Sequence, residues 1–448
     1  MGFVRHLRRT RLIGAKFVGS HMALRRVEKD KPSMERKNGF NTKLLHDKTS
    51  LGYAQREILP PVSQVNAFRY ESAEELERVF QHKSAGFAYT RVGNPTTAAF
   101  ERRINELEGG VGAVATSSGM AAVTAALLAV AQSGDEIIAG SGLYGGTIDL
   151  FRDFGKLGIR VVYAQETSEQ TVKRLITDRT KAVFAELVGN PSLAILDVPK
   201  VSAVAHAAGV PLFVDSTTAT PYLVKPLELG ADVVVHSTSK YINGGGNSIG
   251  GIVVDGGKFP WDFKKHEALA DFARYGKLAF SVRLRTDLWE NFGGCMAPAN
   301  AFLSYIGADT LGLRMDRICY NAEKLALALA NLPEIEANYP TLPGNPFASL
   351  AKSELGGRGG GILTFRAGSK ERAFRVINAL KFAMIASNIG DLRTLVIHPA
   401  STLFLHSNRE AREAAGVYDD TVRVSVGIED VDDLIDDFTS AVKASFQS

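Results

Sequence analysis

Short apolar runs recur through the first two-thirds of the chain, at 111–115, 137–139, 161–164, 182–187, 212–214, 233–235 and 251–254. Each has the length of a strand and is too short for a helix. Amphipathic segments at 146–157, 168–176 and 200–208 separate several of them. Strands apolar along their whole length are buried on both faces, and strands joined through helices run parallel. The pattern predicts an α/β fold: a mainly parallel sheet with helices on both faces. Ligands in such sheets gather at the carboxyl ends of the strands. The residues with chemistry to offer fall there: Ser118 and Gly119, Tyr144, Asn190, Asp215, and Ser237 to Lys240.

The stretch 232–246 is the most informative of these ends. A β-branched strand runs into hydroxyl residues, then Lys240, then Gly244, Gly245 and Gly246. A lysine at the end of a buried strand needs a partner or a task, because burying a bare ammonium is costly. Holding an aldehyde cofactor as a Schiff base is one such task. The hydroxyls of Ser237 and Ser239 can hold a phosphate, and glycines let the backbone approach closely. The segment 111–131 gives a second anion seat. It is a strand, a small-residue turn at Ser118-Gly119-Met120, and a helix whose first amides and dipole face the turn.

Bulk properties remove several classes. A chain of 448 residues has length for a large core. The net charge of +4 is small, and the first 26 residues carry only basic charges, so no nucleic-acid footprint remains. Cys295 and Cys319 form neither a disulfide framework nor a spaced metal site, and no metal is expected. That usage fits a reducing cytoplasm. The apolar run 120–131 is too short to span a bilayer.

Residues 1–22 read as a tag-derived segment, since Gly19-Ser20-His21-Met22 resembles the scar of a cleavable tag. Residues 23–70 are polar, with Pro60-Pro61, and read as an arm that contacts a neighbouring subunit. Ser72, with Glu75 three residues on, predicts a capped helix over 72–81. Asn94-Pro95 predicts the start of a helix over 96–107. The aromatic-rich segment 258–298 reads as irregular, and 299–332 as a long helical stretch that bridges to a second domain. Strands at 361–366 and 421–426 with helices around them predict an α+β unit. The edge 388–399 reads as a loop. The domain plan is therefore a large domain over 71–300 and a smaller one over 301–448.

Taken together, the strand-end residues define one chemistry. Lys240 can hold an aldehyde as an imine. Asp215 can keep a pyridine nitrogen protonated, which makes the ring an electron sink. Gly119 and Met120 amides with Ser237 and Ser239 can grip a phosphate, Tyr144 can stack on a flat ring, and Arg423 can clamp a carboxylate through two bonds.

In these motifs the chain resembles the Cys/Met-metabolism family of pyridoxal-phosphate enzymes. The resemblance runs from about Asn41 onward. It rests on Tyr89-Thr90-Arg91 with Asn94-Pro95-Thr96, on Ser117-Ser118-Gly119-Met120, and on Leu143-Tyr144-Gly145-Gly146-Thr147. Gly189-Asn190-Pro191-Ser192, Val214-Asp215-Ser216-Thr217, Ser237-Thr238-Ser239-Lys240-Tyr241 and Val422-Arg423-Val424-Ser425 complete it. It implies the aspartate aminotransferase-like fold, fold type I, and pyridoxal 5′-phosphate on Lys240. It implies that Asp215 pairs with the pyridine nitrogen, that Tyr144 stacks and assists departure of the leaving group, and that Asn190 touches the ring oxygen. Gly119, Met120, Ser237 and Ser239 would bind the phosphate, joined by Tyr89 and Arg91 from a neighbouring subunit. Arg423 and Asn388 would hold the substrate carboxylate. A family member is usually a dimer of dimers.

Three features resemble the sulfhydrylase branch: the insertion-like segment 254–298, the loop from Asn388 through Arg393 to Thr402, and Gly146 where methionine γ-lyases carry cysteine. The expectation is a transferase that exchanges the acetate of O-acetyl-L-homoserine for sulfide, giving L-homocysteine for methionine and cysteine biosynthesis. A γ- or β-eliminating lyase, an O-succinylhomoserine-using synthase and a non-catalytic relative on the same fold are the alternatives. The chain departs from the family at Ser239 (usually threonine), at Gly245 (often histidine) and at Leu403-Phe404 (usually threonine-histidine). The last change would make the acyl or thiol side of the pocket apolar.

Overall fold

The computed structural model describes residues 38–46, 57–81, 83–405 and 407–447. The segment 1–22 and part of the arm over 23–70 lie outside the described residues.

Helices α1 (Phe40–Leu45) and α2 (Ala73–Phe80) precede the large sheet. Ser72 caps α2 as its sequence predicts, its side chain accepting from the Glu75 N–H. Helix α3 (Pro95–Glu108) starts at Asn94, whose side chain accepts from the Thr96 N–H, and stops at Gly109 with φ 78°. Proline at the first helical position and a left-handed glycine past the end are the expected punctuation.

The large sheet takes the strands β1 (Gly112–Thr116), β2 (Glu136–Ala139), β3 (Arg160–Tyr163), β4 (Thr180–Glu186), β5 (Leu212–Asp215), β6 (Val233–His236) and β7 (Gly251–Asp255), in the order β1-β7-β6-β5-β4-β2-β3. Helices α4 (Gly119–Leu128), α5 (Gly145–Lys156), α6 (Glu169–Leu175) and α7 (Val198–Ala207) connect its parallel part. The ladders β2–β3, β2–β4, β4–β5 and β5–β6 are parallel, whereas β7 runs antiparallel to both β6 and β1. The reason lies in the connection. Residues 237–250 fold into turns at the end of β6 with no crossover helix, so the chain can only return alongside.

Alternating side chains feed two cores, as the pleat demands. Val214, Val234 and Val254 pack with Ile104 and Leu107 of α3 and Val201 of α7. Phe213, Val233, Val235 and Val253 face the other way, against Ala122 and Ala126 of α4 and Phe151 and Phe154 of α5. Full burial of such a side chain stabilises by roughly 1.5–3 kcal/mol, so the strand ends are carried on a rigid base.

One expectation needs correction. Segment 258–298 is not irregular: it holds Glu267–Leu278, Ala279–Arg283, Leu284–Trp289 and Glu290–Phe292, short helical pieces in tandem. Phe280, Leu284 and Leu288 recur at helical spacing and are buried on the sheet. Gly276, at φ 55°, breaks the run and hides the period. The helical stretch 299–332 is present as two helices, Pro298–Ala308 and Leu311–Ala330.

A second sheet has the order β10-β11-β12-β9-β8, from β8 (Glu336–Asn338), β9 (Ile362–Arg366), β10 (Met384–Ile385), β11 (Leu395–Ile397) and β12 (Thr421–Ser425). Strand β11 lies inside the edge read as a loop. The α+β pattern holds: Lys370–Ala379 and Val431–Gln447 are helices packed on one another beside this sheet.

Candidate active site

A cleft enclosing about 970 Å³, solvent at its mouth included, opens at the carboxyl ends of β4, β5 and β6. Lys240, Asp215, Tyr144, Asn190, Asn388 and Arg423 all line it, as do Gly119, Met120, Ser237 and Ser239.

The floor begins at the start of α4. Ser118 caps this helix, accepting from the Ala121 N–H at 3.1 Å, which leaves the Gly119 and Met120 amides facing the cleft end. A Cβ on Gly119 would lie 2.7 Å from the Ser237 Cβ, so only glycine lets α4 meet the end of β6 this closely. The result is a small cup of free amides beside the Ser237 hydroxyl, suited to a phosphate. Ser239 also lines the cleft, but its hydroxyl donates to the Gly250 carbonyl at 3.1 Å and accepts the Gly250 N–H at 2.9 Å. Its bonds serve the loop that carries Lys240.

Asp215 ends β5 and is tied to the cup through one intermediary. The Thr217 N–H donates to Asp215 Oδ1 at 2.9 Å, and the Ser237 N–H donates to Thr217 Oγ1 at 2.8 Å. Burial pushes the Asp215 carboxyl up, while the bonds from Thr217 and the His236 charge act to lower it. An acid so placed is the partner a protonated pyridine nitrogen requires.

Lys240 donates from Nζ to Asn388 Oδ1 at 2.6 Å. Burial first, and then the Arg423 charge, hold its amine below the ordinary lysine value. Arg423, on β12, is 2 % exposed. It donates from one terminal nitrogen to Asn190 Oδ1 at 3.2 Å and from the other to the Asn388 carbonyl at 2.9 Å. Its Nε is buried with no hydrogen-bond partner. Burial pushes this guanidinium down to about 10. A buried cation in the wall of a cleft is prepared for an anion. The amide cup, the acid, the aromatic ring of Tyr144 and the depressed lysine together fit pyridoxal phosphate.

Tyr89 and Arg91 are not among the residues that line the cleft. Arg91 donates to the Glu290 carbonyl at 2.6 Å and lies over the Tyr89 ring, which is 42 % exposed. The Leu403-Phe404 pair is split. Leu403 lines the cleft, whereas Phe404 is 1 % exposed and packs with Ala400, Ala415 and Val417. Only one of the two residues therefore makes the pocket apolar.

Sequence reasoning missed Glu186 and Thr217, which also line the cleft. The signal for Glu186 was present: it is an acid that ends an apolar strand, the pattern that marked Asp215.

This combination of fold and site defines a pyridoxal-phosphate enzyme of fold type I. The chain belongs to the Cys/Met metabolism PLP-dependent enzyme family, whose pattern it matches over residues 41–443. It is 40% identical to the O-acetyl-L-homoserine sulfhydrylase of Corynebacterium glutamicum over 425 residues, 91% of this chain and 97% of that protein. It is 38% identical to the homocysteine synthase of Schizosaccharomyces pombe, over 91% of this chain and 98% of that one. The crystal structure of an O-acetylhomoserine (thiol)-lyase from Campylobacter jejuni superposes with a TM-score of 0.86 at 32% identity, covering 91% of this chain and 100% of that chain. That protein carries N′-pyridoxyl-lysine-5′-monophosphate.

Proposed function

We propose that the protein is an O-acetyl-L-homoserine sulfhydrylase, replacing acetate at Cγ by sulfide to give L-homocysteine. The observation that carries the reading is the meeting of Lys240, Asn388 and Arg423 around one cleft, in a chain so similar to sulfhydrylases along its length.

Bound pyridoxal phosphate supplies the electron sink that makes the substrate Cα–H acidic. The Gly119 and Met120 amides and the Ser237 hydroxyl would hold its phosphate. Asp215 would pair with the pyridine nitrogen, Tyr144 would stack on the ring, and Asn190 would meet the ring oxygen. Arg423, in the wall of the cleft, would hold the substrate carboxylate. Lys240, its amine depressed by burial, would take a proton from Cα and then one from Cβ before acetate leaves Cγ, and would return both once sulfide has added there. Asn388 Oδ1 holds Nζ in place for that traffic. Acetate is a stable leaving group, so departure from Cγ needs no strong general acid.

Lys240 and Arg423 are the cations lining the cleft among the described residues, and Leu403 adds apolar surface. A neutral acetyl ester suits this wall better than a succinyl carboxylate, which would ask for a further cation.

Tyr89 and Arg91 complete the phosphate site of a neighbouring copy, which makes the active form a homo-oligomer with shared sites. The large domain over 71–300 carries the cofactor, and 301–448 supplies Arg423 and Asn388. Among the described residues no helix is long and apolar enough to cross a membrane. The cytoplasm is the compartment we assign.

The test is a product assay on the yellow holoenzyme given O-acetylhomoserine, with and without sulfide. Homocysteine formed only with sulfide, and little keto acid without it, is the expected result. Keto acid and ammonia released at one rate in both cases would make the protein an eliminating lyase.

A further inference from the structure

Glu186 ends β4 and stands in register beside Asp215 on the parallel neighbour β5. Residues paired across a parallel ladder point to the same face, so the two carboxyls emerge together into the cleft. Glu186 there reaches two loops at once. The Tyr144 N–H donates to its Oε1 at 2.5 Å, and the Asn190 N–H donates to its Oε2 at 3.3 Å. Tyr144 sits at the cap of α5, and its side chain makes no capping bond. The ring lies back over the first turn of that helix, where a Cβ on Gly146 would meet it at 2.5 Å. The ring is therefore placed by its backbone, and the bond from its N–H to Glu186 is what ties that backbone to the sheet.

The second loop extends the effect. Asn190 Oδ1 accepts from Arg423 at 3.2 Å. One carboxyl thus connects the aromatic cover, the amide at the ring oxygen and, through that amide, the carboxylate clamp. Placing a second acid against Asp215 is costly, and burial and Asp215 together lift Glu186 well above the usual carboxylate range. Two oxygens on one rigid planar group are needed to accept both N–H groups.

We propose that Glu186 is a positioning residue of this active site: its two carboxyl oxygens set where the Tyr144 ring and the Asn190 amide stand relative to Asp215. The inference rests on the roles given to Tyr144 and Asn190 under the proposed function, and the test separates the two.

Glu186→Gln keeps the shape but offers one acceptor oxygen, so one of the two N–H groups meets an amide donor. Glu186→Ala removes both acceptors. Cofactor affinity is measured by equilibrium dialysis of stripped protein, ring orientation by visible circular dichroism of the bound cofactor, and folding by thermal melting. With two hydrogen bonds lost, Glu186→Ala weakens cofactor binding about tenfold or more and diminishes the visible dichroic band; Glu186→Gln falls between it and the parent. In a Tyr144→Ala background the Glu186 substitutions lose most of that effect, the coupling expected of residues that act through one another. A residue that merely supports the fold lowers the melting temperature and shows no such coupling.

Wild-type affinity and dichroism in both Glu186 variants, with Tyr144→Ala impaired, would overturn the positioning role and leave the Tyr144 assignment standing. An unaltered cofactor signature in Tyr144→Ala would remove the Tyr144 assignment, and the inference with it. Glu186→Gln is the decisive variant should Glu186→Ala fail to fold.

Discussion

The side-chain nitrogen of Lys240 and the side-chain oxygen of Asn388 lie 2.6 Å apart, across 148 residues of sequence. The bond joins the loop after β6 to the edge of the second sheet. The carbonyl of Asn388 accepts from Arg423, so one residue touches both Lys240 and Arg423. Resemblance alone gave Asn388 to the substrate carboxylate. The geometry gives its amide oxygen to the lysine.

Those two roles separate kinetically. Asn388→Ala should lower kcat on the order of tenfold to a hundredfold if the oxygen orients a proton-transferring amine. Cofactor affinity should change little. A rise in KM with kcat preserved would return Asn388 to carboxylate binding.

Arg423 is buried and pinned at both terminal nitrogens, so its plane cannot turn. Arg423→Lys keeps the charge and loses the fork. Losing a charge-assisted pair of bonds costs about 2–3 kcal/mol, roughly 30- to 150-fold in kcat/KM for the amino-acid substrate. Steady-state kinetics with O-acetylhomoserine as the varied substrate checks it. A variant within twofold of the parent would mean that the carboxylate binds elsewhere.

Arg91 bonds to the Glu290 carbonyl and is absent from the cleft of its own chain. Two inactive variants, Arg91→Ala and Lys240→Ala, should regain activity when mixed under subunit exchange. Random mixing yields some sites with both residues intact. Without rescue, Arg91 acts within its own chain.

Glu354 provides a stability prediction with a defined sign. Burial, and then the neighbouring Asp197 charge, push its carboxyl up to about 7 from 4.5. The folded state therefore binds more protons than the unfolded state between those values, and stability falls as pH rises through this window. The Oε2 atom is buried with no hydrogen-bond partner. Glu354→Gln should match the parent in urea melts near pH 4.5 and exceed it at pH 8. Equal gaps at both pH values would contradict the shift.

Much of this site was visible in the sequence because of where its residues stand. An apolar strand that stops at Asp215, or runs into Ser237 and Lys240, states both the element and the place of its end. The helix start at Ser118-Gly119 is equally local. What pattern could not supply was contact between distant segments. Arg423 meets Asn190 across 233 positions, and no spacing rule encodes that. Glu186 carried the same mark as Asp215, but an acid at a strand end also reads as a solvated terminus until its burial is known. The helical pieces of 258–298 were masked by Gly276, which interrupts their period. Leu403 and Phe404, adjacent in sequence, point to different surroundings because the chain turns between them.

The reciprocal bonds between Ser239 and Gly250 act as a clasp. They close the loop 239–250 onto itself, with Lys240 just inside the closure and the Thr238 N–H donating to Gly250 as well. The clasp is built from the chain's own atoms, so the lysine is held in readiness before any aldehyde arrives. Recharging the stripped protein is then a docking event with little ordering left to do. Its observed rate should climb in proportion to added pyridoxal phosphate, and a plateau would reveal a slow rearrangement instead.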